Sequence, residues 1–458
     1  MTEARKSLQG EWSSGLVFIL AATGSAVGLG NLWRFPYLAG ENGGGAFVLI
    51  YLLCILLVGL PIMMAEIMIG RRGRRSPINS FKALALEEGL SRHWQLVGWM
   101  GVAAGFMILS FYSVVGGWAL FYAVEALQGG FRGLDDAGAG SLFEGLIASP
   151  AQVLGWHTAF MLLVFGIVLA GVRKGLQRAV VVLMPLLFLL LLVLVLYGMT
   201  TGSFGQTLAF LFVPDFSVVT GATVLNALGQ AFFTLSLGMG AIMVYGAYLP
   251  ATTSIPNSTA WIVGMDTLTS IIAGLAIFPI VFAAGMEPGQ GPGLVFVTLP
   301  LAFAEMPFGM VLGVCFFVLL SIAAITSGIS LMEPAVSYLT EAARMTRARA
   351  SALVTAAIWL MGIAAGLSLN SWSEVRILPL GDLSIFDSLD YVASNILLPL
   401  GGLFIAVFAV WCMRQESVRR ELGYGSDNRL FLVWLLLSRF VAPTAVVVVF
   451  LNTLGVIG

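Results

Sequence analysis

The chain has 458 residues, 59% hydrophobic and only 10% charged, with a formal net charge of −1. Mean hydropathy is +0.98. That balance excludes a soluble globular domain and gives no footing for a nucleic-acid partner; it is the composition of a polytopic membrane protein.

Taken in chain order, charge-free stretches of spanning length run over 12–33, 43–65, 93–124, 145–172, 179–214, 216–265, 267–286, 306–332, 350–373 and 391–413. A last apolar run, 430–456, contains only Arg439. The 216–265 run includes loop residues around one span. In lipid only helices or closed barrels satisfy the backbone, and these runs are too long and uninterrupted for barrel strands. The expected fold class is therefore an all-α polytopic membrane protein with eleven transmembrane helices, as one transmembrane domain over 1–458. No soluble domain and no low-complexity tract is evident. The N-terminus runs straight into the first span, so no cleavable signal peptide is expected.

Charge sets the orientation. Basic residues cluster at Arg5/Lys6, at Arg71–Arg75 with Lys82 and Arg92, at Arg173/Lys174/Arg178, at Arg344/Arg347/Arg349, and at Arg414/Arg419/Arg420/Arg429, together 18 of the 22 Lys and Arg. Eleven spans with the N-terminus inside place all five clusters in the cytoplasm, as the positive-inside rule requires. The C-terminus is then outside. The opposite loops carry Asp135, Asp136, Glu144, Asp382 and Asp387.

Span 1 is interrupted. Residues 24–36 read GSAVGLGNLWRFP, with three glycines and a proline inside an apolar run. Glycine costs a helix interior about 1 kcal/mol and proline about 3. Freed backbone groups in a bilayer must face protein or line a cavity. There half-helix N-termini attract anions and unwound carbonyls attract cations. Close helix packing through Gly24 and Gly28 is the plainer alternative. A second interruption, QAFFTLSLGMG at 230–240, falls in span 6. Matching breaks in two five-helix halves point to an inverted repeat with a midplane site.

Three acids lie in or near spans. Asp266 has no basic neighbour in sequence, and a bound cation would explain an ionised carboxylate there. Glu66 and Glu333 sit near helix ends, where pairing with nearby arginines is the simplest role. Cys54, Cys315 and Cys412 read as packing residues, and His93 and His157 form no metal-ligand cluster.

With these residues in view, the sequence resembles the neurotransmitter:sodium symporter family, in its bacterial amino-acid-transporting branch with the leucine-transporter-like fold. The carrying motifs are GSAVGLGNLWRFP, ENGGGAF, GQAFFTLSLGMG, SIAAITSGISLMEP and FDSLDYVASNILLPLGG, in family order over nearly the whole chain. The resemblance implies a five-plus-five inverted repeat, about 13–200 and 224–413, with discontinuous helices 1 and 6 and an extra helix at about 430–456. It also implies sodium-driven uptake of a small zwitterion through a bacterial-type inner membrane, with no organic cofactor and no obligate protein partner.

Carried over by motif, the N–H groups of Leu29 and Gly30 and the Tyr112 hydroxyl would hold a substrate carboxylate. Carbonyls of Ala26, Phe233 and Thr234, near Ser236, would take the ammonium. Ile108, Phe233, Met239, Ser327 and Leu331 would line the pocket. A first sodium would meet the Ala26 carbonyl, Asn31, Thr234, Asp266 and the substrate carboxylate. A second would meet the carbonyls of Gly24, Val27 and Ala323 with the hydroxyls of Thr326 and Ser327. Oxygen-only ligation suits a hard cation.

The family's monoamine carriers hold an aspartate where this chain has Gly28, so the substrate is expected to bring its own carboxylate: a hydrophobic neutral amino acid. Tyr51, Gln230, Thr234 and Ser270 match a chloride site in other members, yet Asp266 supplies a fixed charge there. Transport is therefore expected to be chloride-independent. Arg34 and Asp390, with Phe233 and Tyr112, match an extracellular gate. Trp12 and Glu341 match a cytoplasmic one, although Gln9 stands where the family has an arginine; Arg5 or Lys6 are possible substitutes. Gly175 and Pro185 match a motif linked to opening of span 5. Alternatives left open are a non-transporting amino-acid sensor and a carrier of another zwitterion such as a betaine. A membrane enzyme finds no support in HExxH, nucleophile-elbow or Cys–His patterns.

Overall fold

The computed structural model describes residues 10–286, 293–377, 382–426 and 428–453. Among these, every regular element is helical, and the one β pairing is an isolated bridge between Gly44 and Pro214. Arg5, Lys6 and Gln9 lie outside the described residues.

The chain begins with α1 (Gly15–Ala26), which Ser14 starts by accepting the Val17 N–H on its side chain. After a break comes α2 (Gly30–Glu41), bent 51° from α1. Then follow α3 (Gly45–Gly73), α4 (Pro77–Glu87), α5 (Arg92–Gln128), α6 (Asp136–Ala148), α7 (Pro150–Leu169) and α8 (Val172–Gly198). The second half holds α9 (Phe204–Phe212), α10 (Gly221–Thr234), α11 (Ala241–Ala247), α12 (Ile255–Ala283), α13 (Leu294–Glu305) and α14 (Gly309–Ala342). Last come α15 (Arg347–Leu367), α16 (Ile385–Cys412), α17 (Gln415–Leu422) and α18 (Arg429–Asn452).

Nine of these, α3, α5, α7, α8, α12, α14, α15, α16 and α18, are long and apolar enough to cross a membrane, and the bent α1–α2 pair makes a tenth. The shorter α10 and α11 flank the second interruption. Outer faces of α8 and α18 are rich in exposed leucine and valine, as lipid contact requires. The long helices α5 and α14 pack along each other at the centre.

Two boundaries differ from the sequence reading. Asp266 does not separate two spans: α12 runs unbroken from Ile255 to Ala283, with Ser254 accepting the Asn257 N–H to start it. A charge ends an apolar run, but it does not end a helix whose backbone bonds continue. The short apolar α13 was also not foreseen.

Among the described residues, basic clusters from three parts of the chain meet at one end. Arg71 pairs with Glu421 (2.5 Å), Arg72 with Glu87 and Glu88 (2.6 and 2.8 Å), and Arg74 with Glu11 (3.1 Å). Arg414 reaches Glu88 (3.5 Å), and Arg173 donates to the Glu11 carbonyl (3.1 Å). Loops before α1, after α3, before α8 and after α16 thus share one surface, the basic end of the molecule.

Candidate functional site

The two interruptions face each other at the centre of the bundle. α1 stops at Ala26, and Val27 turns to extended backbone (φ −70°, ψ 104°). The Gly28 N–H then donates to Asn31 Oδ1 (2.9 Å), and the Leu29 N–H points at the Tyr112 hydroxyl (3.4 Å). Across the gap α10 ends at Thr234, and Ser236, Gly238 and Gly240 all take positive φ (54°, 79° and 75°) before α11 begins. A left-handed serine is uncommon and marks a constrained backbone. At Gly238 a side chain would also collide with the Leu398 carbonyl, 2.5 Å from an ideal Cβ. The breaks are tied together: Ser236 donates to the Ser25 carbonyl (2.9 Å), and Gln230 to the Gly30 carbonyl (2.8 Å).

Between them lies a small cavity of about 20 Å³. Ala26, Leu29, Gly30, Ile108, Tyr112, Phe233, Ser236, Met239, Ser327 and Leu331 line it, so ten of the eleven expected pocket residues converge; Ser25 and Gly28 complete the wall. Thr234 lies outside the lining and turns its hydroxyl to Asp266. No lining side chain is charged, and all but Phe233 are buried. An ideal Cβ on Gly28 would sit 2.4 Å from Ser327 Oγ and 3.1 Å from the Tyr112 hydroxyl, so the wall has no room for a side chain there.

Behind the α1–α2 break sits a buried oxygen cluster. Asn31 Nδ2 donates to Asp266 Oδ1 (2.8 Å), to the Asp266 carbonyl (3.1 Å) and to Ser270 Oγ (2.9 Å). The Thr234 hydroxyl donates to both Asp266 oxygens (3.0 and 3.2 Å). Tyr51 meets Ser270 at 3.4 Å. Asp266 is fully buried, and no ion pair to it occurs among the described residues. A buried carboxylate without a cation is costly, so the donor set fits a bound cation.

Of the second expected set, Gly24 and Thr326 are neighbours. An ideal Cβ on Gly24 lies 3.6 Å from Thr326 Cβ, which places α1 against α14 here. The Thr326 hydroxyl bonds the Ala323 carbonyl (3.0 Å), and Ser327 donates to the Ser25 carbonyl (3.3 Å). Val27 caps the end of α1. Met184, just before Pro185 in α8, covers Gly24: its Sδ lies 3.0 Å from the same ideal Cβ. Gly175 lies in a π turn, Val172–Leu176, and the stretch from there to Pro185 is wound.

The expected gates are partly assembled. Arg34 does not pair directly with Asp390. Its guanidinium lies 4.8 Å over the Phe233 ring, while Asp390 accepts the Ser394 hydroxyl (2.6 Å). At the basic end Trp12 is buried, donates to the Tyr245 carbonyl (3.0 Å) and packs edge-on against Tyr245 and Tyr248. Glu341 finds no arginine among the described residues. It accepts the Ser76 N–H (2.8 Å), the Ser76 hydroxyl (2.7 Å) and Asn79 Nδ2 (2.8 Å), and so caps α4.

The sequence profile of the sodium:neurotransmitter symporter family matches residues 9–132 and 147–457. The chain belongs to the sodium:neurotransmitter symporter family. An uncharacterized sodium-dependent transporter, YhdH, of Bacillus subtilis (strain 168) is 41% identical over 449 residues, 98% of each chain. Another, from Haemophilus influenzae, is 36% identical over 462 residues, 99% of this chain and all of that one. Among solved structures, MhsT in complex with L-phenylalanine superposes with TM-score 0.90 and 45% identity, covering 97% of this chain and 99% of that one. This symporter is a sodium-dependent, multi-pass integral membrane protein of a family of transporters, with the leucine-transporter-like fold.

Two acids in the symporter play different parts. Glu333 pairs with Arg347 (2.5 Å) and accepts the Tyr248 hydroxyl (2.8 Å), as its position near arginines suggested. Glu66 pairs with no arginine among the described residues. It is fully buried and accepts the Gly238 N–H at 2.5 Å, holding the second break open. Arg71 is five residues on, about 140° round the helix, and faces Glu421 instead. Sequence reasoning missed this role and that of the Ser25 carbonyl; an acid within an apolar run was the available signal for the first.

Proposed function

We propose that the protein takes up hydrophobic neutral amino acids by alternating access, with two sodium ions per substrate and no chloride requirement. The observation that carries the substrate class is the packing of Gly28 against Ser327 and Tyr112. No side-chain carboxylate can stand in that wall, so the substrate supplies its own. Its carboxylate would meet the Leu29 and Gly30 N–H groups and the Tyr112 hydroxyl at the start of α2, where a half-helix favours an anion. Its ammonium would meet the carbonyls of Ala26, Phe233 and Thr234 near Ser236. Ile108, Met239, Ser327 and Leu331 leave a small uncharged chamber for the side chain, and flexible Met239 accommodates several sizes. That MhsT, 45% identical, is solved with L-phenylalanine supports an amino acid here.

The first sodium would lie against Asp266, Asn31, Thr234 and the Ala26 carbonyl. The second would lie between the Gly24, Val27 and Ala323 carbonyls and the hydroxyls of Thr326 and Ser327. With Asp266 beside Ser270 and Tyr51, the negative charge that chloride supplies elsewhere would be built into the chain. Residues 13–200 and 224–413 would be the two inverted repeats around the paired breaks, with 430–456 outside them. The basic end would face the cytoplasm of a bacterial-type inner membrane. Arg34, Phe233, Tyr112 and Asp390 would close the outer path; Trp12 and Glu341, the latter held by α4, the inner one.

Purified protein in liposomes tests the whole reading. Labelled leucine should accumulate on an inward sodium gradient, equally well with gluconate replacing chloride. Unlabelled phenylalanine and tryptophan should compete, and glycine betaine should not. Binding without accumulation, or competition by betaine alone, would contradict it.

A further inference from the structure

We infer that Arg439 and Trp411 form a binding site for the phosphate of an anionic phospholipid, on the lipid-facing side of the basic end. Arg439 lies ten residues into α18, roughly 15 Å along the helix, and is the single charge in the 430–456 run. Among the described residues its guanidinium meets no acid: it lies 4.0 Å over the Trp411 ring, and its Nε is buried without a hydrogen-bond partner. A cation at membrane depth without a counter-charge marks a site for an anion.

The geometry fixes where that anion comes from. Helical side chains lean toward the helix N-terminus, so Arg439 reaches back toward the basic end. Trp411 is the penultimate residue of α16, three before the exposed Arg414. An interfacial tryptophan sits at headgroup level, and the guanidinium shares that level by snorkelling. Trp411, Phe440 and Leu436 are 52%, 53% and 56% exposed, so the pair opens on lipid and not on another helix. Both partners sit in π turns, Phe408–Cys412 and Leu437–Val441, a local geometry often kept for function. The planar guanidinium matches a phosphate, and nearby Arg414, with a side chain 76% exposed, adds attraction to an anionic surface. This inference rests on no part of the transport reading.

The test uses the full-length protein and native mass spectrometry. Phosphatidylglycerol and phosphatidylcholine of equal acyl chains are added separately. Wild type should retain phosphatidylglycerol preferentially, and R439Q should lose about fivefold in that affinity, the equivalent of about 1 kcal/mol. R439K should keep the charge-driven part, and R414Q most of the preference. If R439Q does not fold, W411A replaces it and should weaken retention in the same sense. Equal retention of the two lipids by wild type, or undiminished retention by R439Q and W411A, would overturn the proposal. Displacement by inorganic phosphate would overturn it in favour of a free-anion site, and an R439-dependent dimer without lipid in favour of a second copy.

Discussion

At the scale of single residues, Asp266 concentrates the electrostatic argument. Its carboxylate takes hydrogen bonds from Asn31 and Thr234 and faces no basic side chain among the described residues. An asparagine would fit the same hydrogen bonds with one charge fewer. Asp266→Asn should therefore lose about tenfold or more in sodium affinity, on the scale of one buried charge interaction, and become stimulated by chloride. Sodium titrations of uptake with chloride and with gluconate check this; unchanged sodium affinity and indifference to chloride would contradict it. Most residues of the pocket were legible because they belong to short motifs, and motif neighbours such as Ala26 and Gly30 keep their spacing when folded. Glu66 was not legible: nothing in sequence connects it to Gly238, 172 positions away. The Arg34–Asp390 pair was expected from motif positions, yet cation–π packing on Phe233 holds Arg34 instead.

At the scale of elements, the second break is a backbone held open by a side chain. The Gly238 N–H is buried and its acceptor is Glu66. Removing that acceptor should cost about 1–3 kcal/mol. Glu66→Ala should accordingly lower thermal stability and substrate affinity together, while Glu66→Gln, which keeps an acceptor oxygen, should recover most of both. Thermal melting with and without substrate reads the difference; equal behaviour of the two variants would remove Glu66 from this role. In α8 the weak point is Pro185, which leaves a helix carbonyl without its bond beside Met184 over Gly24. Restoring the bond in Pro185→Ala should slow sodium release to the basic end. Turnover should fall several-fold with equilibrium binding unchanged, by comparison of uptake rate with ligand titration. Helix positions themselves were legible from apolar runs, whereas boundaries were not wherever a charge lies inside a helix, as Asp266 does in α12.

At the scale of the molecule, the two breaks meet at the central cavity. The bonds Ser236 to Ser25 and Gln230 to Gly30 join the halves at the cavity. Trp12, Tyr245, Tyr248, Glu333 and Arg347 close the basic end in one connected packing. Because the substrate carboxylate would itself touch the first sodium, substrate and ion should raise each other's affinity by the same factor. A tenfold sodium gradient supplies about 1.4 kcal/mol per ion, and 100 mV about 2.3 kcal/mol per charge. Two ions with a zwitterion therefore supply roughly 7 kcal/mol, an accumulation limit near 10⁵-fold. Accumulation at equilibrium should rise with the square of the sodium gradient; a first-power dependence would leave one ion.

The central claim is that paired helix breaks bind a free carboxylate together with sodium. Equilibrium binding of phenylalanine and of phenethylamine, which differ only in that carboxylate, tests it most directly when measured in sodium and in potassium. The account predicts tight binding for phenylalanine in sodium alone and none for the amine in either salt. Comparable binding of the amine, or of phenylalanine in potassium, would contradict it.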